Sequence, residues 1–582
     1  MKILVINLMR FGDIIQCAPL LHALKEEYPG AEVHLLVNSV FGHATSIIYG
    51  FDKLHIIDYE KLYGLTLEEK KMLPSSYKYL RDIFQHLRKE AFDLVINITP
   101  SNVGIMAASL TKSKQIHGSY MDEKGLRVIN TPWMRYFHTA CKVRQGNNIN
   151  LVDLFVRGGG PSNGFYPLKV KVEESCKERI QQFLDSTVDY RVALHLGASE
   201  RKRIWKPERF AQVAQILKND LNVQFILVGV EKERELALEF AREFSWEFVN
   251  LVGKTDLMTL AAVLSEVDLL ICHDSGPMHV ASGVGTKVLS IFLATANPHE
   301  TGPYGPGHII IEPDLRCHPC DHEVRCDHYS CRKKIEPRAV GEIARSMLLG
   351  TLPDISGFEG IRVFMSRIGD DGMVELVPLR KLGWTLDRFA MLLWRCYWPV
   401  YIERAEPEKQ IVDRLEDRLD SYFGRNEWLN RKEEIREQIN AFDELIFLAE
   451  EGEYYSQKVL DNICTRSPDF CLINNWAGML GQIDQYIKEW GYRNPSWMTP
   501  VQNFFLDKQS GSTGTGIKET AEETKASYAD LLHQIRGLRG VIQKLLGKEE
   551  YHGYAGKDGR EGNSDSFLHR ESGGASFASH GG

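Results

Sequence analysis

The chain has 582 residues, 43% of them hydrophobic and 10% aromatic, which supplies core material for about three or four domains of roughly 150 residues and excludes a disordered chain. Acidic residues outnumber basic ones, 78 against 70, for a net charge of -8; a general nucleic-acid binder would show the opposite balance. Eleven cysteines, an odd number spread over a long chain, do not resemble the framework of a small disulfide-stapled secreted domain.

No uninterrupted apolar run reaches the roughly 18 residues a spanning helix needs. The opening MKILVINLMRFGD meets Arg10 and Asp13 without a long apolar region or a small-residue cleavage site, so no signal peptide is expected. These features together suggest a soluble, cytoplasmic, multidomain protein.

In chain order, residues 3–7 form a short apolar run suited to a buried parallel strand, and residues 19–28 read as the helix that follows. Residues 33–37 and 92–97 are further strands. Such alternation points to βαβ units, with a parallel sheet covered on both faces. The run Gly158-Gly-Gly-Pro-Ser-Asn-Gly164 reads as a linker, after which the alternation restarts. Strands are expected at 191–196, 223–228 and 268–272, and helices at 208–217, 231–244 and 257–264. Two α/β halves joined in this way leave a cleft between facing sheet ends, where open α/β sheets bind ligands.

Beyond about residue 350 the pattern changes. Residues 361–368 and 373–377 flank Gly369-Asp-Asp-Gly372 as a β-hairpin. Residues 386–402 and 408–451 look helical, Ser510–Gly516 reads as a flexible linker, and a last helix is expected over 517–546. The final thirty or so residues are rich in Gly, Ser, His and charge, and are expected to be disordered.

Three loops carry chemistry. The first, Asn7-Leu-Met-Arg-Phe-Gly12-Asp13, has one glycine where a dinucleotide fingerprint would need three. Asp13 could accept a proton from a substrate hydroxyl or simply cap the following helix. The second, Leu196-Gly-Ala198-Ser199-Glu-Arg-Lys202-Arg203-Ile-Trp-Lys206, sets four cations behind a small-residue loop, a place where backbone N–H groups, a helix dipole and basic side chains bind anions. The third, Asp274-Ser275-Gly276-Pro277-Met-His279, follows a buried strand. Its Ser275 and Gly276 leave amides open, Pro277 suits the first helical position, and Asp274 could take a ribose hydroxyl or fix the loop. Two anion-friendly loops in the same half suggest a nucleotide diphosphate site.

The segments MRFGDIIQCAPLLHALKEEYP, HLGASERKRIWKPERFAQVA and CHDSGPMHVASGVGTKVLSIF, followed by GPYGP, resemble glycosyltransferase family 9, the heptosyltransferases of lipopolysaccharide core synthesis, over roughly residues 1–350. The resemblance implies an α/β GT-B fold, two Rossmann-like domains facing a cleft, here followed by a mainly helical C-terminal extension for which no family is recognised. It implies an acceptor domain at 1–160 and a nucleotide-sugar-binding domain at 165–350. The pattern of the chain adds a β-hairpin and helical extension at 355–508, a helix at 517–547 and a tail at 550–582. By resemblance Asp13 is the general base of an inverting transfer. Ala198, Ser199, Asp274, Ser275, Gly276 and His279 match donor-binding segments, and Glu233 lies where the family places an acid near the nucleoside. Arg203 occupies the place of a family lysine, with Lys202 beside it; either cation could neutralise the departing diphosphate, and Arg203 is assigned that role. The implied partners are a nucleotide sugar, ADP-heptose, and a glycolipid or glycan acceptor, without nucleic acid, at the cytoplasmic side and at most peripheral to the inner membrane. A nucleotide-sugar epimerase or hydrolase on the same fold, and a scaffold with a vestigial transferase half, are the alternatives.

The transfer itself requires no cofactor. Cys317, Cys320, Cys326 and Cys331, four thiols in fifteen residues opening with C-x-x-C, fit a structural zinc knuckle; reduced thiols or a redox-sensitive pair are the other reading. Residues 389–402 form either a core helix of the extension or an interfacial helix with tryptophan and arginine anchors.

Overall fold

The computed structural model describes residues 1–63, 73–140, 142–161, 164–321, 324–404, 408–511 and 516–547. The expected tail lies outside the described residues, as does most of the 510–516 linker.

Among the described residues, the strands form two sheets. In the first, β1 (Lys2–Ile6), β2 (Glu32–Asn38), β3 (Lys53–Ile57), β4 (Leu94–Asn97), β5 (Gln115–Met121) and β6 (Arg127–Ile129) are ordered β3-β2-β1-β4-β5-β6. All pairs are parallel except β5 with β6. Strands β1 and β4 run as nearly continuous aliphatics because helices cover both faces.

The second sheet takes β7 (Tyr190–His195), β8 (Val223–Val228), β9 (Val249–Asn250), β10 (Leu269–His273), β11 (Lys287–Ile291), β12 (Ile309–Pro313), β13 (Ile361–Ile368) and β14 (Val374–Pro378) in the order β14-β13-β12-β11-β10-β7-β8-β9. The hairpin expected at 361–377 forms, and it does not stand apart: β13 pairs antiparallel with β12 from Ile309↔Met365 to Pro313↔Ile361. The C-terminal extension thus grows directly out of the edge of the second sheet.

The segment read as a linker begins inside a helix. Gly158 and Gly159 end the helix Leu151–Gly159, and both are buried. A Cβ on Gly159 would lie 2.4 Å from Leu20 Cδ1, and one on Gly158 2.6 Å from Met134 Cε. These two glycines permit close packing, and Gly160 (φ 101°) turns the chain out of the helix.

The extension then ties the two halves together. Asp153 of the first half accepts from Tyr304 of the second (2.8 Å) and from the backbone N–H of Val374 in the added hairpin (3.0 Å). Arg157 pairs with Glu403 of the extension helix Leu386–Glu403 and donates to the Asp371 carbonyl at 2.6 Å. One apolar cluster runs from Leu20 and Phe155 through Met278 to Trp394, Trp398 and Ile435. Residues 389–400 are buried throughout, so this stretch is a core helix, with Trp394 and Trp398 stacked at 5.5 Å. The charged stretch after residue 408 forms helices Glu408–Tyr422 and Lys432–Ile463, and the last helix spans Ile517–Leu546. Among the described residues, no helix is long and apolar enough to cross a membrane.

Candidate active site

The C-terminal ends of both sheets open onto one cavity of about 1390 Å³. Asp13, Ala198, Ser199, Arg203, Glu233, Asp274, Ser275, Gly276 and His279 all line it, whereas Lys202 does not. Lys202 Nζ instead pairs with Glu200 at 3.1 Å.

Asp13 sits in the first turn of the helix Phe11–Gln16. Its Oδ2 accepts the Arg10 backbone N–H at 3.1 Å, and its carbonyl accepts from Asn7 Nδ2 at 2.9 Å. One oxygen is thus anchored in the cap, and Oδ1 takes no hydrogen bond among the described residues. Desolvation in the cleft wall pushes the Asp13 carboxyl up to about 6, against the pull of the Arg10 N–H.

The two anion-friendly loops are clipped together by His273, the last residue of β10. Its Nε2 accepts the Trp205 backbone N–H (2.8 Å), so its Nδ1 donates to the Gly197 carbonyl (2.9 Å). Burial pushes this imidazole down to about 3, which keeps the neutral form that the two bonds require. The result is a shared rim on which the backbone N–H groups of Ala198, Ser199, Ser275 and Gly276 donate to no other described residue. Ser275 sits at the N-cap position of the nine-residue helix Gly276–Val284 without a side-chain capping bond, with Gly276 first and Pro277 second, so the positive end of that helix faces the cleft. Gly276 also allows the halves to meet, since a Cβ there would lie 2.5 Å from Phe11 Cε1.

Arg203, buried at the end of a 3₁₀ turn, holds Asp274 through Nη1 (2.9 Å), Thr295 Oγ1 through Nε (2.9 Å) and Glu200 through Nη2 (3.2 Å). Thr301 Oγ1 donates to the other Asp274 oxygen at 3.1 Å. Burial raises the Asp274 carboxyl, and Arg203, Thr301 and Arg144 oppose that rise. Glu233 reaches back between two loops. Its Oε2 accepts the Val230 N–H (2.9 Å) and lies 3.4 Å from His195 Nε2, while His195 Nδ1 faces Ser275 Oγ at 3.1 Å. Burial alone would raise Glu233, but His195 and the Val230 N–H bring it below the ordinary carboxylate value. Burial pushes His279 down to about 4, so it is a neutral side chain of the cleft wall.

Arg144, at the end of the 120–144 segment of the first half, and Glu300 are among the cleft residues whose contact no sequence pattern marks. Arg144 of the first half donates through Nε and Nη2 to Glu300 Oε2 of the second at 3.0 and 2.7 Å, and through Nη2 to the Thr295 carbonyl at 2.9 Å. This pair joins the two halves at the cleft, which both side chains line. Because its members lie 156 positions apart, no local pattern links them.

All four cysteines of the cluster are unbridged thiols, from exposed Cys317 to buried Cys331. Burial, with Cys317, Cys331 and Cys326 nearby, pushes Cys320 up to about 11. No three of their sulfurs lie within 4.8 Å of one another among the described residues. The segment also braces the basic loop, since Arg332 Nε donates to the Lys202 carbonyl at 3.2 Å and the same guanidinium holds that of Arg201.

Residues 80–329 match the family described as glycosyltransferase family 9 (heptosyltransferase). Over that segment the chain is similar to glycosyltransferase family 9. It is 23% identical over 306 residues to the lipopolysaccharide core heptosyltransferase OpsX of Haemophilus influenzae, a match covering 52% of this chain and 81% of that protein. It is 24% identical to lipooligosaccharide heptosyltransferase 2 of Campylobacter jejuni, covering 58% of this chain and 95% of the relative. Among solved structures, the family 9 glycosyltransferase of Veillonella parvula is similar with a TM-score of 0.48 and 20% identity, covering 60% of this chain and 98% of that one. The loops after β7 and β10 fall inside the matched segment. Asp13 precedes it, and the C-terminal extension follows it.

Proposed function

We propose that the protein is an inverting glycosyltransferase of lipopolysaccharide core synthesis, transferring heptose from ADP-heptose to a core glycan with Asp13 as general base. The observation that carries this reading is the placement of Asp13 on one wall of the cleft and the Ala198–Arg203 and Asp274–Gly276 rim on the other. The acceptor hydroxyl gives its proton to Asp13 Oδ1 as its oxygen attacks the anomeric carbon. The bond from that carbon to the donor phosphate breaks on the opposite face, and the diphosphate leaves with the electron pair. Open backbone N–H groups, the helix end at Gly276 and Arg203 meet the growing negative charge. Countercharge of this kind lets the step proceed without a bound metal. Glu233 is placed to accept from hydroxyls of the donor nucleoside, and the acceptor belongs to the Asp13 side of the cleft.

The donor half of this reading is tested by calorimetric titration of ADP-heptose and of GDP-, UDP- and dTDP-sugars. Selective binding of ADP-heptose is expected, with Asp274→Ala weakening it by about 10–100-fold through loss of a charge-assisted contact. Preference for another nucleotide would discard ADP-heptose, and unchanged affinity in the variant would remove Asp274 from the site.

Gly197→Ala provides a second, steric test. Its Cβ would come 1.8 Å from Glu233 Oε1, so the carboxylate must leave its place beside His195. A drop in nucleotide affinity of roughly tenfold or more is expected, while the nucleotide-free protein stays folded. Wild-type affinity would show that Glu233 does not touch the donor.

A further inference from the structure

On the far side of the first domain, away from the cleft, two histidines lie in strands that are otherwise aliphatic. His34 of β2 is fully buried and His55 of β3 is 6% exposed. In the parallel register His34 pairs with Lys53 and Leu36 with His55. Both rings lie nearly perpendicular to Phe92, at 5.0 and 6.4 Å between centroids. His34 Nδ1 faces His55 Nε2 at 2.9 Å, while His34 Nε2 lies 2.9 Å from Glu32 Oε1. Glu90, just past the helix Leu73–Lys89, brings a carboxylate oxygen to the same point, and the three ligand atoms lie within 4.8 Å of one another. His86, four residues before Glu90, places its ring 5.6 Å from that of His55.

From this arrangement we propose that His34, His55 and Glu90 form a binding site for a divalent transition-metal ion of the zinc class, with His86 as the nearest fourth ligand. The Glu32 carboxylate accepts from Nε2–H of His34 and so leaves Nδ1 as the free lone pair, the carboxylate–histidine arrangement found behind metal-ligating imidazoles. Metal–nitrogen bonds of about 2.0–2.1 Å in a tetrahedral shell hold two nitrogens roughly 3.3 Å apart, so the two rings need to separate by only a few tenths of an ångström. Two imidazoles and one carboxylate form a donor set suited to zinc and its neighbours rather than to calcium or magnesium. Glu90 also holds Lys2 at 2.9 Å and pairs with Lys53; an ion entering the site takes over countercharge that these two ammonium groups supply. The bound ion would join β2, β3 and the end of the covering helix, making the site structural and separate from sugar transfer.

The test is titration of Co²⁺ into the full-length protein after chelator treatment, followed by visible and near-ultraviolet absorption. One saturable equivalent is expected, with d–d bands of a nitrogen/oxygen site and no thiolate charge-transfer band, and it should persist after alkylation of the cysteines. His55→Ala should weaken it at least tenfold, and Glu32→Gln, which keeps every direct ligand, by about 10–100-fold. No saturable binding by the folded wild type would overturn the proposal. So would binding that shows thiolate bands or disappears on alkylation, which would move the metal to the cysteine cluster. Unchanged affinity in both variants would overturn it as well.

Discussion

Asp13→Asn is expected to lower turnover by about 10²–10⁴-fold, the range ordinarily supplied by a positioned general base, while leaving donor affinity close to wild type. Asparagine can still accept the Arg10 N–H that fixes Oδ2 at 3.1 Å, so the loop keeps its shape and only the proton acceptor is lost. The pH dependence has a defined sign. With the carboxyl pushed up to about 6, wild-type kcat/KM should rise as pH increases through about 6 and then level off, and the variant's residual rate should lack that limb. Stability should move in the opposite direction. A carboxyl whose folded value exceeds its unfolded one costs the folded state stability once pH passes the unfolded value, and that cost is complete above about 6. Asp13→Asn should therefore melt at a higher temperature than wild type at pH 8 and show no such gain below pH 4. Loss of activity with loss of fold would instead mark Asp13 as a structural cap.

The largest stability effect is expected at Asp371→Ala, in the turn of the added hairpin. Arg395 is 1% exposed and is held in two places by the Asp371 carboxylate, through Nη1 and through Nη2 at 2.9 Å. The neighbouring Arg418 pairs with Glu375 at 2.8 Å. Burial disfavours the Asp371 charge, but the Arg395 guanidinium beside it holds the carboxyl far below its ordinary value. Removing the acid leaves a buried guanidinium unpaired, at a cost of about 3–5 kcal/mol. The pair's contribution is present above the unfolded carboxyl value near 4 and is lost as pH falls below it. Because this turn also meets Arg157, the extension should loosen from both halves. A clear fall in melting temperature at pH 7 that narrows on acidification is expected. A melting temperature within a degree of wild type would show that the extension does not clamp the domains.

The parts of the fold written in short-range pattern were legible. Apolar runs such as Val223–Val228 became parallel strands with their expected limits, and the loops after β7 and β10 revealed themselves by small residues and cations set against buried strands. The parts that depend on distant partners were not. Nothing near Arg144 announces Glu300, and nothing near Asp153 announces Tyr304 or Val374. The hairpin at residues 361–377 was visible as a hairpin, but not as an addition to β12, because sheet order is set by pairing across some fifty residues. The glycines at 158 and 159 carried a real signal with two meanings, and packing against Met134 and Leu20 selected close contact over flexibility. Residues 389–402 likewise could not be divided between core and membrane surface until Trp394, Trp398 and Tyr397 had burial partners. His34 and His55 passed unnoticed because single histidines in two strands acquire meaning only when the register sets them side by side.

Sugar transfer across the cleft is the activity to be measured. The direct measurement is release of ADP from ADP-heptose on addition of a truncated lipopolysaccharide core, with the product's anomeric configuration read by NMR, for wild type and Asp13→Asn. The expected result is acceptor-dependent ADP release, a product whose anomeric configuration is opposite to the donor's, and loss of both in the variant. ADP release independent of acceptor, retention of configuration, or full activity in Asp13→Asn would contradict it.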